Sequence, residues 1–198
     1  HSFGNLAGFL AGWCYWTSNL PYFPAVFYFA ASNAIFIGGA GWHAKARDHW
    51  AAFAERIGLP VATAFRRQDA IPSSSPAYAG NLGYGPSPHL VERIRAADLL
   101  LVVGARLGEA TTDGYAIVTP EHPGQLLVHV HPDPAELERV YRTDLAICAD
   151  PGDFAETAAL WEDRTIIPFD AGAQAHAEWL AWSTPRTEER YRLDLAWA

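Results

Sequence analysis

Two histidines and an acid close an apolar run in this chain, at His129-Val130-His131-Pro132-Asp133. Alternate positions of a strand share a face, so His129 and His131 point the same way and Asp133 could converge on them. Two imidazoles and a carboxylate can ligate a metal. His129 is also explained as a core histidine with its ring nitrogens satisfied. With no further ligand cluster in view, the spacing favours ligand binding by the backbone, and no metal site is assigned. Gly104-Ala105-Arg106 offers amides and a guanidinium, donors that suit phosphate or pyrophosphate. An arginine paired with Glu109 or Asp113 explains the same residues equally well. Gly38-Gly39-Ala40-Gly41 follows an apolar run and precedes a helix, where its amides could cradle a phosphate or simply make a tight turn. Neither G-x-G-x-x-G spacing nor a P-loop accompanies it. There is no nucleophile elbow, no Cys-His arrangement and no readable pair of carboxylates, so no catalytic residue is assigned.

These residues need strands that end where they begin. Leu99 to Val103 runs apolar without a break and stops at Gly104, as a strand buried on both faces does. Leu126 to Val130 is a second such strand, and Ala34 to Ile37 a third, ending in the glycine turn. In open α/β sheets the carboxyl ends of such strands hold the ligand. Between Lys45 and Ile57 the apolar residues Ala46, Trp50, Phe53, Ala54 and Ile57 recur at helical spacing, with Gly58 as C-cap. Short strands are expected at Pro60 to Ala64 and Leu145 to Cys148, and helices at Pro88 to Ala96, Pro134 to Val140 and Pro151 to Trp161. Residues 66 to 88 read as a long loop, and Ala173 to Trp182 as one more helix in a less regular tail. About five strands with intervening helices imply an α/β fold: a doubly wound, mainly parallel, Rossmann-like sheet with helices on both faces.

Composition narrows the partners. A formal net charge of −8 argues against nucleic acid or an anionic membrane surface. Two cysteines in dissimilar contexts make no disulfide framework and suit a reducing, cytoplasmic setting. The chain has no methionine, which suggests a fragment or a processed chain. Its charges begin only at Lys45. Phe3 to Leu20 is 18 apolar-rich residues, about 27 Å as a helix, and Gly4, Gly8 and Gly12 recur at the spacing of close-packed membrane helices. A buried helical hairpin explains the same composition. The string from Phe3 to Trp16 resembles a membrane helix of amino-acid permeases of the amino acid–polyamine–organocation superfamily, over residues 2–38 at most. Membrane contact, on this resemblance, runs only through residues 3–33.

The later motifs occur together in one order: Ile37 to Gly41, Pro60 to Asp69, Tyr78 to Gly85, Ala97 to Leu107, and Val128 to Pro134. Over residues 37–160 they resemble the central domain of thiamine-diphosphate-dependent enzymes of the acetolactate synthase type. The resemblance implies a six-stranded Rossmann-like domain between two catalytic domains. It also implies ligand loops at Gly83 to Gly85, Gly104 to Arg106 and His129 to Asp133, facing FAD or an ADP-type nucleotide; with the glycine turn read above, the candidate cofactor-binding residues are Gly38, Gly39, Gly83, Gly85, Gly104, Ala105, Arg106, His129 and Asp133. The synthases usually carry an acid where this chain has His131, which counts against FAD. Thiamine diphosphate and magnesium belong, in such enzymes, to pyrimidine- and diphosphate-binding domains that this sequence lacks. The resemblance further implies a parent enzyme of the transferase or lyase type that assembles as a homo-oligomer. The expected division is an apolar helical segment foreign to the domain at 1–33, the Rossmann-like domain at 34–162 and a linker-like tail at 163–198. A chimaeric or truncated frame accounts for the join. The alternatives are a permease fragment carrying a soluble domain and a free-standing nucleotide-binding module.

Overall fold

The computed structural model describes residues 33–121, 123–160 and 171–184. The expected permease-like segment therefore lies outside the described residues, apart from Asn33. Among the described residues, no helix is long and apolar enough to cross a membrane.

Six strands form one sheet: β1 (Asn33–Ile37), β2 (Val61–Thr63), β3 (Tyr78–Asn81), β4 (Leu99–Val103), β5 (Leu126–His131) and β6 (Leu145–Cys148). All pair in parallel in the order β3-β2-β1-β4-β5-β6. Every residue of β1 and β4 is buried, which explains their unbroken apolar runs. Ile35, Ile37, Leu99, Leu101, Val103, Val128 and Val130 line one face of the sheet. Helix α1 (Ala44–Ile57) and helix α4 (Pro151–Ala159) cover that face. Ala34, Phe36, Leu100, Val102 and Leu127 line the other face, under Leu90 and Ile94 of α2 (Pro88–Arg95) and the chain around Leu107 to Val118. That stretch includes a single turn of helix, α3 (Glu109–Thr112).

Local chemistry sets the helix ends. His43 caps α1 by accepting the Ala46 N–H at 3.2 Å, and Gly58 ends it in the left-handed region. Asp150 caps α4 by accepting the Gly152 N–H at 2.7 Å, with Pro151 in the first turn. Trp50 of α1 lies 6.1 Å from the Phe154 ring of α4. The Arg56 guanidinium donates to the Ala158 and Ala159 carbonyls at 3.3 and 3.2 Å, so a side chain of α1 closes the far end of α4.

Three expectations change. The long loop at 66–88 contains β3 and a 3-10 turn at Gln68–Ala70. Tyr-Ala-Gly-Asn carries no strand pattern because Gly80 holds φ +115° and Trp179 lies against it. The helix at Pro134 to Val140 does not form. Asp133 instead folds the chain into consecutive turns, accepting the Ala135 N–H on its side chain and the Glu136 N–H on its carbonyl. Glu138 then adopts φ +59°, which ends any helical run. The tail expected to be linker-like also joins the domain: the helix expected at Ala173 to Trp182 forms as α5 (Ala171–Ser183) and packs on the outer side of β3. His176 donates from Nδ1 to the Tyr78 carbonyl at 2.9 Å, and Trp179 meets the Tyr78 ring edge-on at 4.8 Å.

Trp179→Ala removes the ring that closes the β3 edge. Being half-buried, it should cost roughly 2 kcal/mol, below the range for a fully buried Trp, seen as an earlier urea midpoint with an unchanged fold at zero denaturant.

Candidate functional site at the carboxyl edge

In this strand order the connections from β1 and from β4 leave in opposite directions, so the gap between β1 and β4 is the crevice where such sheets bind ligands. Here the chain's own atoms fill the gap. A Cβ on Gly39 would run into the Gly104 carbonyl, and one on Gly104 into the Gly38 carbonyl. The same Cβ on Gly104 would stand 2.7 Å from Cγ of Pro151. Gly38 is pressed just as closely against Ala64 and Ala105. Gly39 and Gly104 also hold φ +74° and +73°. These glycines are required because two strand exits and the first turn of α4 meet there.

Side chains tie off the remaining groups. Trp42 Nε1 donates to the Gly38 carbonyl at 2.7 Å. Arg67 donates from one guanidinium nitrogen to the Gly39 carbonyl and pairs with Asp69 at 3.0 Å. The N-terminus of α1, where a phosphate would sit, already has His43 as its cap. The Asp150 carboxylate lies where a Cβ on Gly41 would be 3.0 Å from it, which adds negative charge. A pyrophosphate needs unpaired N–H groups and room for the anion. Between Gly38, Gly39 and Gly104 the backbone leaves no room for the anion, so these three glycines do not enclose a nucleotide at the β1–β4 crevice.

The other expected residues divide into two places. Beyond β2 and β3, Gly83 is buried at φ +140° because the Phe65 ring lies against it. Gly85 has open space around it. Tyr84, between them, is 82% exposed and meets Phe65 edge-on at 5.2 Å, while the Arg66 guanidinium lies 5.2 Å above the Phe65 ring. Beyond β4 and β5, Arg106 is exposed and pairs with Glu136 at 3.8 Å, where Glu109 or Asp113 is expected. Asp133 is exposed, with its carboxylate on the Ala135 N–H.

His129 links this region to the crevice. Its Nε2 lies 2.8 Å from the Ala105 carbonyl, an acceptor, so Nε2 carries the hydrogen. Burial pushes its pKa down; the Ala105 contact opposes this, His131 adds to it and Glu136 opposes it. His129 and His131 do share a face, with rings 6.0 Å apart, but each commits a ring nitrogen to backbone. Among the described residues, no three His, Cys, Asp or Glu side chains are grouped to hold a metal ion. Arg67, Pro151 and Asp150 escape sequence reasoning, since each acts on a glycine turn far from it along the chain.

A family model described as "Thiamine pyrophosphate enzyme, central domain" matches residues 26–158. Its start falls inside the segment expected to be foreign. Sulfoacetaldehyde acetyltransferase of Rhodobacter capsulatus is 36% identical over 129 residues, 64% of this chain and 22% of that protein. The enzyme of the same name from Castellaniella defragrans is 28% identical over 81% of this chain and 28% of its own length. The acetolactate synthase large subunit of Corynebacterium glutamicum is 26% identical over 61% of this chain and 19% of its own length. The chain thus spans 19–28% of the length of these curated relatives. Among solved structures, the thiamine diphosphate-dependent 4-hydroxybenzoylformate decarboxylase of Rhodococcus jostii RHA1 shares the fold, with a TM-score of 0.52 at 23% identity over 75% of this chain and 27% of that one.

A buried neutral histidine loses stability on acidification. Its folded pKa lies below the unfolded value of about 6.5, so stability is complete above that value and falls as pH drops from it toward the folded pKa. His129→Gln cannot ionise. Urea unfolding between pH 7.5 and 5 should show a shallower decline in the variant, the difference staying under about 1.4 kcal/mol per pH unit. Equal slopes would assign the acid sensitivity elsewhere.

Proposed function

We propose, for a chain that belongs to the thiamine pyrophosphate enzyme family as its central domain, that it is the non-catalytic scaffold of an acetolactate synthase-like transferase. The closed β1–β4 crevice carries this reading. Its glycine signature is accounted for by packing between the exits of β1 and β4 and the first turn of α4, which supports a structural role for those glycines. Thiamine diphosphate, when bound in the parent enzyme, supplies the carbanion chemistry that joins a 2-oxo acid fragment to an acceptor. That cofactor and its magnesium belong, on this reading, to the pyrimidine- and diphosphate-binding domains of the parent. This domain contributes rigidity: a sheet buried on both faces, with the connections at its carboxyl edge held by backbone contacts. Cys148 is a free, exposed thiol, as suits a reducing cytoplasm.

A thermal-shift titration with FAD, ADP and thiamine diphosphate tests the reading. A ligand at a hundred times its Kd stabilises a fold by about 2.7 kcal/mol, several degrees in Tm for a domain of this size. The expected result is no shift with any of the three. A rise with FAD or ADP would overturn the scaffold reading in favour of a nucleotide-binding module, and its loss in Arg106→Ala would place that residue at the site.

A further inference from the structure

β5 leaves the sheet through two imidazoles of different standing. His129 has one partner, the Ala105 carbonyl, which suits a donor in either protonation state. The Nδ1 of His131 lies 3.1 Å from the Asp133 backbone nitrogen and 3.1 Å from the Asp133 backbone oxygen. A neutral ring with a bare Nδ1 accepts from the N–H, whereas an imidazolium donates from Nδ1 to the carbonyl. One ring nitrogen thus has a partner ready for each state. His131 is only 6% exposed, and an unpartnered polar atom at such a place is costly.

The surrounding charges connect this atom to the carboxyl edge. The His129 and His131 ring centroids stand 6.0 Å apart. Cys148 of β6 is the register partner of His131, and its thiol donates to the Pro132 carbonyl at 3.6 Å. Tyr141 is buried on the same side of the sheet. In the turn that follows, the Glu136 N–H donates to the Asp133 carbonyl, the oxygen that faces His131. The Glu136 side chain, 11% exposed, holds Arg139 at 2.6 Å and Arg106 at 3.8 Å.

We propose that the exit of β5 is a proton-operated switch: His131 trades the Asp133 N–H for the Asp133 carbonyl on taking up a proton, and the Glu136 turn passes the change to Arg106. The step takes one proton from solvent and breaks no covalent bond. The Asp133 N–H, on an exposed residue, is released to water, and the Asp133 carbonyl gains a second donor beside Glu136. The Asp133 carbonyl, shared with the new donor, loosens its hold on the Glu136 N–H, and as that turn shifts the longer Arg106 contact of Glu136 yields first. The exposed cation at the carboxyl edge is thereby loosened by acid. This inference is independent of whether the domain binds a nucleotide.

Proton–nitrogen NMR of the full 198-residue chain from pH 8 to pH 5 tests it. The expected result is a reversible move of His131 Nδ1 from the unprotonated to the protonated range. The Asp133 amide and the Arg106 Nε–H should shift at the same midpoint. An Asp133 amide that stays still through that midpoint overturns the exchange, and an unmoved Arg106 overturns its transmission. His131→Asn keeps an acceptor for the Asp133 N–H and cannot ionise, so the Asp133 transition should vanish. Its persistence in that variant would assign the transition to another group. The titration of the unaltered chain decides the matter even if the variant fails to fold.

Discussion

Everything at the carboxyl edge depends on how closely two strands leave the sheet. β1 and β4 are neighbours in register along their whole length, with Ile37 beside Val103. Their exits must diverge within a residue or two, and they do so by passing backbone against backbone at Gly38, Gly39 and Gly104. A side chain on any of the three would force the exits apart. With the exits closed, α4 can begin directly above them, Pro151 resting on Gly104. With α4 fixed there, its apolar face meets α1, and the Trp50–Phe154 contact completes that layer.

The same constraint decides what the site can be. In a sheet of this order an open β1–β4 gap would offer amides to an anion. Here the Gly38 and Gly39 carbonyls face Trp42 and Arg67, and the capping positions of α1 and α4 hold His43 and Asp150. Further exposed polar groups stand to either side of the gap, Arg66 with Tyr84 on one and Arg106 on the other.

Much of this was legible in the sequence. β4 and β5 announce themselves because strands covered on both faces leave no place for polar residues, and Gly58 marks the end of α1 by its left-handed backbone. β3 was not legible, since its glycine answers to Trp179 on a helix about a hundred residues later. The turn at Pro134 to Val140 has helical composition, but its backbone follows the Asp133 carboxylate and the positive φ of Glu138. Glycine-rich turns at β1 and β4 could be read as turns. That they serve one another, with Pro151 between them and α4, depends on pairs distant in the chain, to which local patterns are blind.

Arg56 has a consequence for how the protein is made. It sits at the end of α1, and the carbonyl it caps lies 103 residues further along. A ribosome adding about 5–20 residues per second needs roughly 5–20 s to deliver that partner. For this interval the side of α1 that will meet α4 stands uncovered. That layer is therefore closed only after β6 has been made, and the apolar side of α1 stays exposed in the nascent chain until α4 follows.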